Sequence, residues 1–364
     1  MKIQETEKKR EKAILVAVAW NETRVNFDKD LEELASLCHT AGLEVVGQIG
    51  QNIKEKNPST LLGSGKVEEI ARMVDELSAD VVVVDTELTG SQANNIMSVV
   101  NAKVVDRSML ILDIFAGRAT TNEGRLQVKL AQLKYTLPRI ASVSGSAGRF
   151  GSAGVGMRGP GETKLETDKR KIRDDIVKLE KEILKIKSQR LIQKSERRKN
   201  QIKQVAIVGY TNAGKSTLMN TITKAGIYAD DLLFATLDTT SRTLWLGNNR
   251  KVVLVDTVGF IDKLPHAFIQ AFNATLEETA DADLLVHVVD ISDPDYKDKM
   301  EVVNDVLKEI KADKIPQIIV YNKVDKISRP FEVPRDAVLI SAKNNTGIEQ
   351  LKELITNKLF EAGE

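Results

Sequence analysis

At 364 residues the chain is long enough for two or three domains, each with its own core. Apolar residues make up 42% and charged residues 29%, which excludes wholesale disorder, and a net charge of +1 gives no global bias toward nucleic acid or membrane. The single cysteine, Cys38, cannot close an internal disulfide, and no apolar run approaches the ~20 residues of a membrane span, so a reducing, cytoplasmic setting is expected.

Between residue 13 and about residue 115, short β-branched runs alternate with helical patterns. In chain order these are AILVAVAW, a helix over 31–41, EVVGQI, a helix over 66–77, VVVVD at 81–85 and a helix near 91–100. That alternation predicts an α/β layer with a largely parallel sheet, assigned to a first domain over 1–120. Cys38 joins Leu31, Leu34 and Ala35 in one apolar helical series and reads as core. Gly63-Ser64-Gly65-Lys66 looks like half a phosphate loop, but it lacks a leading glycine and a hydroxyl residue after the lysine, so it reads as a turn and helix start.

From residue 123 the pattern changes. Leu126, Leu130, Leu133 and Leu137 are spaced four, three and four apart, the seam of a helix that Pro138 is expected to stop. A second seam comes at Ile172, Ile176, Leu179, Ile183 and Ile186, so an antiparallel helical hairpin is expected over 121–200. Residues 142–161 carry seven glycines, two arginines and no acid, and read as a tip loop. Residues 189–203 carry six basic residues against Glu196 alone and read as a basic linker.

From residue 201 the βα alternation returns and carries recognisable chemistry. Gly209-Tyr210-Thr211-Asn212-Ala213-Gly214-Lys215-Ser216, followed by Thr217, matches G-x-x-x-x-G-K-[ST] between the strand VAIVG and a helix. Glycines there let backbone N–H groups converge on phosphate at a helix N-terminus, Lys215 reaches the β and γ phosphates, and the Ser216 hydroxyl ligates Mg2+. Asp256-Thr257-Val258-Gly259 ends the strand VVLVD, so that Asp256 holds Mg2+ through water and the Gly259 N–H senses the γ-phosphate. Asn322-Lys323-Val324-Asp325 ends QIIVYN, where the carboxylate of Asp325 accepts from guanine N1 and N2; Ser341-Ala342-Lys343 ends AVLIS, with a backbone N–H near guanine O6. Four such loops at C-terminal strand ends obey the rule for ligand sites in open α/β sheets and predict GTP/GDP binding over 201–364.

These loops resemble the translation-factor-related class of P-loop GTPases. The resemblance implies a first switch over 233–242, with Thr236 closing on Mg2+ and Thr239 and Thr240 as competitors, and a site for K+ near Asn212, whose other reading is loop scaffolding. Where many GTPases carry a water-orienting glutamine this chain has Phe260, so slow intrinsic hydrolysis is expected; His287 reads as a satisfied core residue and does not fill the gap. Catalytic roles thus fall to Lys215, Thr236 and Gly259.

LLGSGKVEEI at 61–70, DRSMLILDIFAGRA at 106–119, GRLQVKLAQLKY at 124–135, GPGETKLETDKRKIRDDI at 159–176 and LFATLDTTSRT at 233–243 resemble the HflX family of GTPases over nearly the whole chain. The resemblance implies a monomer that binds the large ribosomal subunit and its ribosomal RNA, splitting or rescuing stalled or idle ribosomes, with the hairpin tip reaching toward the peptidyl transferase centre. The small extra C-terminal domain of longer members is expected to be absent. The basic hairpin, with Arg149 and Arg158 in its loop, suits an RNA-lined cavity. Two alternatives are ATP-dependent RNA remodelling by the N-terminal domain, for which no second complete phosphate loop is visible, and a GTP-switched interaction protein without a ribosomal partner.

Overall fold

The computed structural model describes residues 10–20, 27–147, 164–199, 202–223, 240–247, 250–263, 278–327 and 337–361, together with Leu233, Phe234, Leu237 and Phe268. The chain forms two compact units, one of residues 1–117 and 129–178 and the other of 118–128 and 179–364.

The first unit is built on β1 (Lys12–Trp20), β2 (Glu44–Ile53), β3 (Val81–Val84) and β4 (Lys103–Asp106), all parallel in the order β2-β1-β3-β4. Between them run α1 (Phe27–Thr40), α2 (Ser64–Leu77) and α3 (Gly90–Val100), and α4 (Arg107–Arg118) comes after β4. Strands β1 and β3 are apolar on both faces, as parallel strands covered by helices on both sides must be. Ile14, Val16, Val82 and Val84 pack with Val67, Ile70, Val74 and Ile96 of α2 and α3. The four-residue strand KVVD and the apolar helix α4 extend the alternation past the elements read from the sequence. Cys38 is buried, and burial pushes its thiol up to about 12, consistent with a core residue. Gly63 is the N-cap of α2, so the GSGK segment is a helix start. Helix α3 begins with a capping box in which Thr89 and Gln92 satisfy each other's backbone N–H groups.

Two long helices come next, α5 (Asn122–Ala147) and α6 (Lys164–Lys199). Three sequence expectations are corrected here. Helix α5 does not stop at Pro138 but runs through it, because residues on either side are fastened to the sheet end. Tyr135 and Arg139 both donate to the carboxylate of Asp106, Arg139 at 3.0 Å, and Arg139 also reaches the Leu88 carbonyl at 2.7 Å. The guanidinium lies 3.2 Å over the Tyr135 ring. Residues 142–147 of the expected tip loop are therefore helical, and residues 148–161, with Arg149 and Arg158, lie outside the described residues. The basic segment over 189–199 is the last part of α6 rather than an irregular linker, since its Lys, Arg, Gln and Glu residues are good helix formers. On α6 Leu179 is buried and the other four seam positions are half-buried, as are Lys169, Asp175, Glu180 and Lys187, whereas on α5 only Leu130 of the four seam leucines is buried.

The second unit carries β5 (Lys203–Gly209), β6 (Thr240–Gly247), β7 (Arg250–Asp256), β8 (Leu284–Asp290), β9 (Gln317–Asn322) and β10 (Ala337–Leu339). The order is β10-β9-β8-β5-β7-β6, parallel throughout except for the antiparallel edge strand β6. Helices α7 (Lys215–Thr223) and α9 (Ile348–Thr356) cover one face through Leu218, Met219, Leu351 and Ile355, while α8 (Tyr296–Glu309) packs on the other. Among the described residues no helix is long and apolar enough to cross a membrane.

Candidate functional site

The C-terminal ends of β5, β7, β8 and β9 and the segment after β10 bring the four sequence motifs together. The loop between β5 and α7 begins at Gly209 and ends at Gly214, whose φ of +93° is strained for other residues. A Cβ on Gly214 would lie 2.3 Å from the Asn322 amide nitrogen, so only glycine lets the two loops meet. Asn212 also adopts a left-handed backbone, which asparagine tolerates better than most residues. The N–H groups of Asn212, Gly214 and Lys215 have no hydrogen-bond acceptor among the described residues, so the loop presents a cluster of donors at the head of α7.

Lys215 is 6% exposed and folds back over this loop, donating to the carbonyls of Gly209 at 3.1 Å and Tyr210 at 2.8 Å. Burial pushes its ammonium down to about 8; Lys323 adds to the effect and Asp256 opposes it. The next residue, Ser216, donates its hydroxyl to Asp256 Oδ2 at 2.8 Å, placing two hard oxygens side by side at the end of β7. That donor set suits Mg2+. Thr217 lies in the first turn of α7, its carbonyl accepting from Thr221 at 2.9 Å. Thr257 is fully buried and anchors the loop by donating to the Ile207 carbonyl at 2.7 Å.

Gly259 sits directly against the phosphate-loop candidate. A Cβ there would come within 2.9 Å of Thr211 Cα and 3.0 Å of Lys215 Nζ, so a side chain is excluded at the place nearest the lysine. Phe260 is buried, and its backbone is zipped to the same loop: Thr211 N–H donates to its carbonyl at 2.7 Å and its N–H donates to the Gly209 carbonyl at 3.1 Å. An apolar, inward-held side chain has no means of orienting water.

Asn322 joins three loops. Its amide donates to the Ala213 carbonyl at 2.9 Å, and its carbonyl oxygen accepts from Ala342 N–H at 3.0 Å. Lys323 donates to the Asn212 carbonyl at 2.8 Å and pairs with Asp290 at 2.7 Å. Asp325 accepts a short hydrogen bond from the Ser341 hydroxyl, which holds its carboxyl below the usual carboxylate range, with Lys343 nearby contributing in the same direction. An ionised, exposed carboxylate is thus set beside the 341–343 loop.

Of the nucleotide-site candidates, Thr236 and its competitor Thr239 lie outside the described residues. His287 departs from expectation. It is 1% exposed in β8, but both ring nitrogens lack a hydrogen-bond partner among the described residues, and burial pushes its imidazole down to about 4. Two participants escaped the sequence reading: Asp290, the carboxylate that orients Lys323, and the Tyr210 hydroxyl, which accepts from the Asp262 N–H at 2.9 Å. The aspartate ending LLVHVVD carried a signal, being an acid at a strand end beside the others; the tyrosine carried none.

Comparison with known proteins places this geometry. Residues 28–116, 118–197 and 204–323 match family models described as GTP-binding GTPase N-terminal, GTP-binding GTPase Middle Region and 50S ribosome-binding GTPase. Over 363 residues the chain is 48% identical to GTPase HflX of Caldanaerobacter subterraneus subsp. tengcongensis, covering 100% of this chain and 84% of that protein. It is 42% identical over 356 residues to GTPase HflX of Escherichia coli, covering 96% and 83%. The crystal structure of the SsGBP and GDP complex aligns with a TM-score of 0.52 at 26% identity, covering 95% of this chain and 98% of that one.

Proposed function

The chain belongs to the HflX family of GTPases and hydrolyses GTP, and on that premise we propose that it does so on the large ribosomal subunit, splitting or rescuing stalled or idle ribosomes. The observation that carries the ribosomal reading is the match of residues 204–323 to the model of a 50S ribosome-binding GTPase. In this reading the protein works as a cytoplasmic monomer. Residues 201–364 hold the nucleotide, and the hairpin over 121–200 meets ribosomal RNA.

Each residue then has a role, which its surroundings support for those among the described residues. Lys215 turns from the Gly209 and Tyr210 carbonyls to the β and γ phosphates, which the donors of the loop over 209–217 surround. Ser216, Thr236 and Asp256, the last through water, hold Mg2+, which neutralises charge developing on the transferred phosphoryl group. The Gly259 N–H meets the γ-phosphate. Asp325 accepts from guanine N1 and N2, and the segment of Ser341, Ala342 and Lys343 offers a backbone N–H to O6. Asn322 and Lys323 brace the loops against each other, and Asn212 lies where K+ would assist.

Because Phe260 cannot position water, turnover by the isolated protein is slow and the large subunit raises it by ordering the switches or supplying a missing group. Stabilising groups supplied in this way accelerate phosphoryl transfer by about 10³ to 10⁵. The direct test is co-sedimentation with large subunits. Binding in a non-hydrolysable GTP analogue and its loss in GDP are expected; binding indifferent to nucleotide, or none, sinks the ribosomal reading.

A further inference from the structure

The sequence motif uses Tyr210 only as a backbone position between Gly209 and the rest of the loop. In the structure the residue is buried, and its side chain and its backbone carbonyl together bridge three elements. The hydroxyl accepts the Asp262 N–H at 2.9 Å, the carbonyl accepts Lys215 Nζ at 2.8 Å, and the ring lies 5.3 Å from Lys299 Nζ on α8. Lys299 is itself fixed by an ion pair with Asp293. The geometry points to Tyr210 as a positioning residue for GTP hydrolysis: its hydroxyl holds the exit of the Asp256–Gly259 loop in register with the phosphate loop, so that the Gly259 N–H stands ready beside Lys215.

Gly259 lies against Thr211 and Lys215 but has no anchoring hydrogen bond of its own among the described residues, so its place is set by Thr257 on its N-terminal side and by residues 260–262 on its C-terminal side. Two contacts tie the C-terminal residues to the phosphate loop. The first is the backbone pairing of Phe260 with Gly209 and Thr211, made of groups that any residue type supplies. The second is the Tyr210 hydroxyl on Asp262, and it is the one that a side chain controls. Between them Ile261 is buried, which leaves the segment little freedom while both anchors hold. Removing the hydroxyl takes this tie from the segment carrying Gly259, which gains motion at its C-terminal side. In the reading above Gly259 meets the γ-phosphate alone, the group that a triphosphate carries and a diphosphate lacks. The hydroxyl therefore acts on the γ-phosphate and not on the rest of the nucleotide.

This inference rests on the nucleotide-site reading proposed above, and the Tyr210→Phe variant separates the two. GDP affinity should stay at the parent value. Affinity for a non-hydrolysable GTP analogue and kcat should each fall by about 3- to 10-fold, the factor that one net hydrogen bond supplies. Equal losses for GDP and the analogue would reduce Tyr210 to a structural role, and unchanged analogue binding and kcat would overturn the proposal outright. If Lys215→Ala leaves GTP binding intact, the site reading itself fails. A second measurement needs no variant: in the unmodified protein the Asp262 amide should exchange with solvent more slowly in the GTP analogue than in GDP. Equal rates would also overturn the proposal.

Discussion

Arg107 and Lys215 both stand at strand-to-helix junctions, one directly after the edge strand β4 and the other after the loop that leaves the central strand β5. Each is the first residue of a helix entered from the C-terminal end of a parallel strand, and each is a cation almost wholly removed from water. A helix N-terminus disfavours positive charge, and burial disfavours it further, so both positions require an anion. Arg107 finds two within its own unit: Asp85, whose side chain is fully buried, at 2.7 Å, and Glu33. Their attraction keeps the guanidinium above its ordinary value in spite of burial. Lys215 finds two carbonyls, and its ammonium drops to about 8. A buried cation with carboxylates around it is electrostatically complete; one with carbonyls alone calls for an anion from outside. The same sheet architecture thus yields a sealed end in one unit and a binding end in the other.

The comparison breaks most visibly at Arg107. Replacing it by alanine takes the cation away from Asp85 and Glu33, and destabilisation of about 3–5 kcal/mol is expected, measured by denaturant unfolding. An effect below about 1 kcal/mol would mean that the pair is not what closes this end. Lys215→Ala should do the opposite. No carboxylate is stranded, so unfolding is little changed or improved, while GTP affinity falls by about 100-fold or more with the loss of charged hydrogen bonds to phosphate. Equilibrium binding alongside circular dichroism checks both halves.

Asp325→Asn sharpens the reading at the base end of the site. The amide cannot accept both guanine N–H groups, and GTP binding should weaken by about 30-fold, equivalent to about 2 kcal/mol, while xanthine nucleotides gain. Retained GTP affinity would sink the assignment. The smallest effect at neutral pH is expected from His287→Phe, which removes a buried imidazole without partners among the described residues and should change stability by no more than about 1 kcal/mol. The difference appears in acid. The folded value of about 4 lies below the ordinary 6.5, so between these the unfolded chain binds the extra proton. Parent stability should fall as pH drops from 6.5 toward 4, by at most about 1.4 kcal/mol per pH unit from this group, and level off below. The variant should lack that component in pH-dependent melting curves.

The nucleotide loops were legible because phosphate and base recognition fix both spacing and strand context: Lys215, Asp256, Asn322 and Asp325 each stand at or just beyond a strand end. The sheet of the first unit was legible from its β-branched runs, apart from β4, where four residues give too little pattern. Pro138 misled because a local rule met a tertiary exception. The ring removes one donor from the helix, but Tyr135 and Arg139, one turn apart, are bound to Asp106, a partner about thirty residues upstream that no local window reveals. The Tyr210 hydroxyl was illegible for the same reason, since its partner is a backbone N–H fifty-two positions away. His287 was read correctly as buried but not as unsatisfied, because a continuously apolar strand says that its side chains are covered and nothing about what waits there.

Helix α5 can also be considered as a beam. Pro138 has no N–H to contribute, so the rod is least stiff there, and the Tyr135–Arg139 clamp on Asp106 supports it at that same point. The eight residues from 140 to 147 project beyond the support, about 12 Å at the helical rise. A sideways load on the far end bends the rod at its notch and is taken up by the sheet through Asp106. The clamp is a fulcrum: it lets the outer turns deflect while the inner ones keep their register.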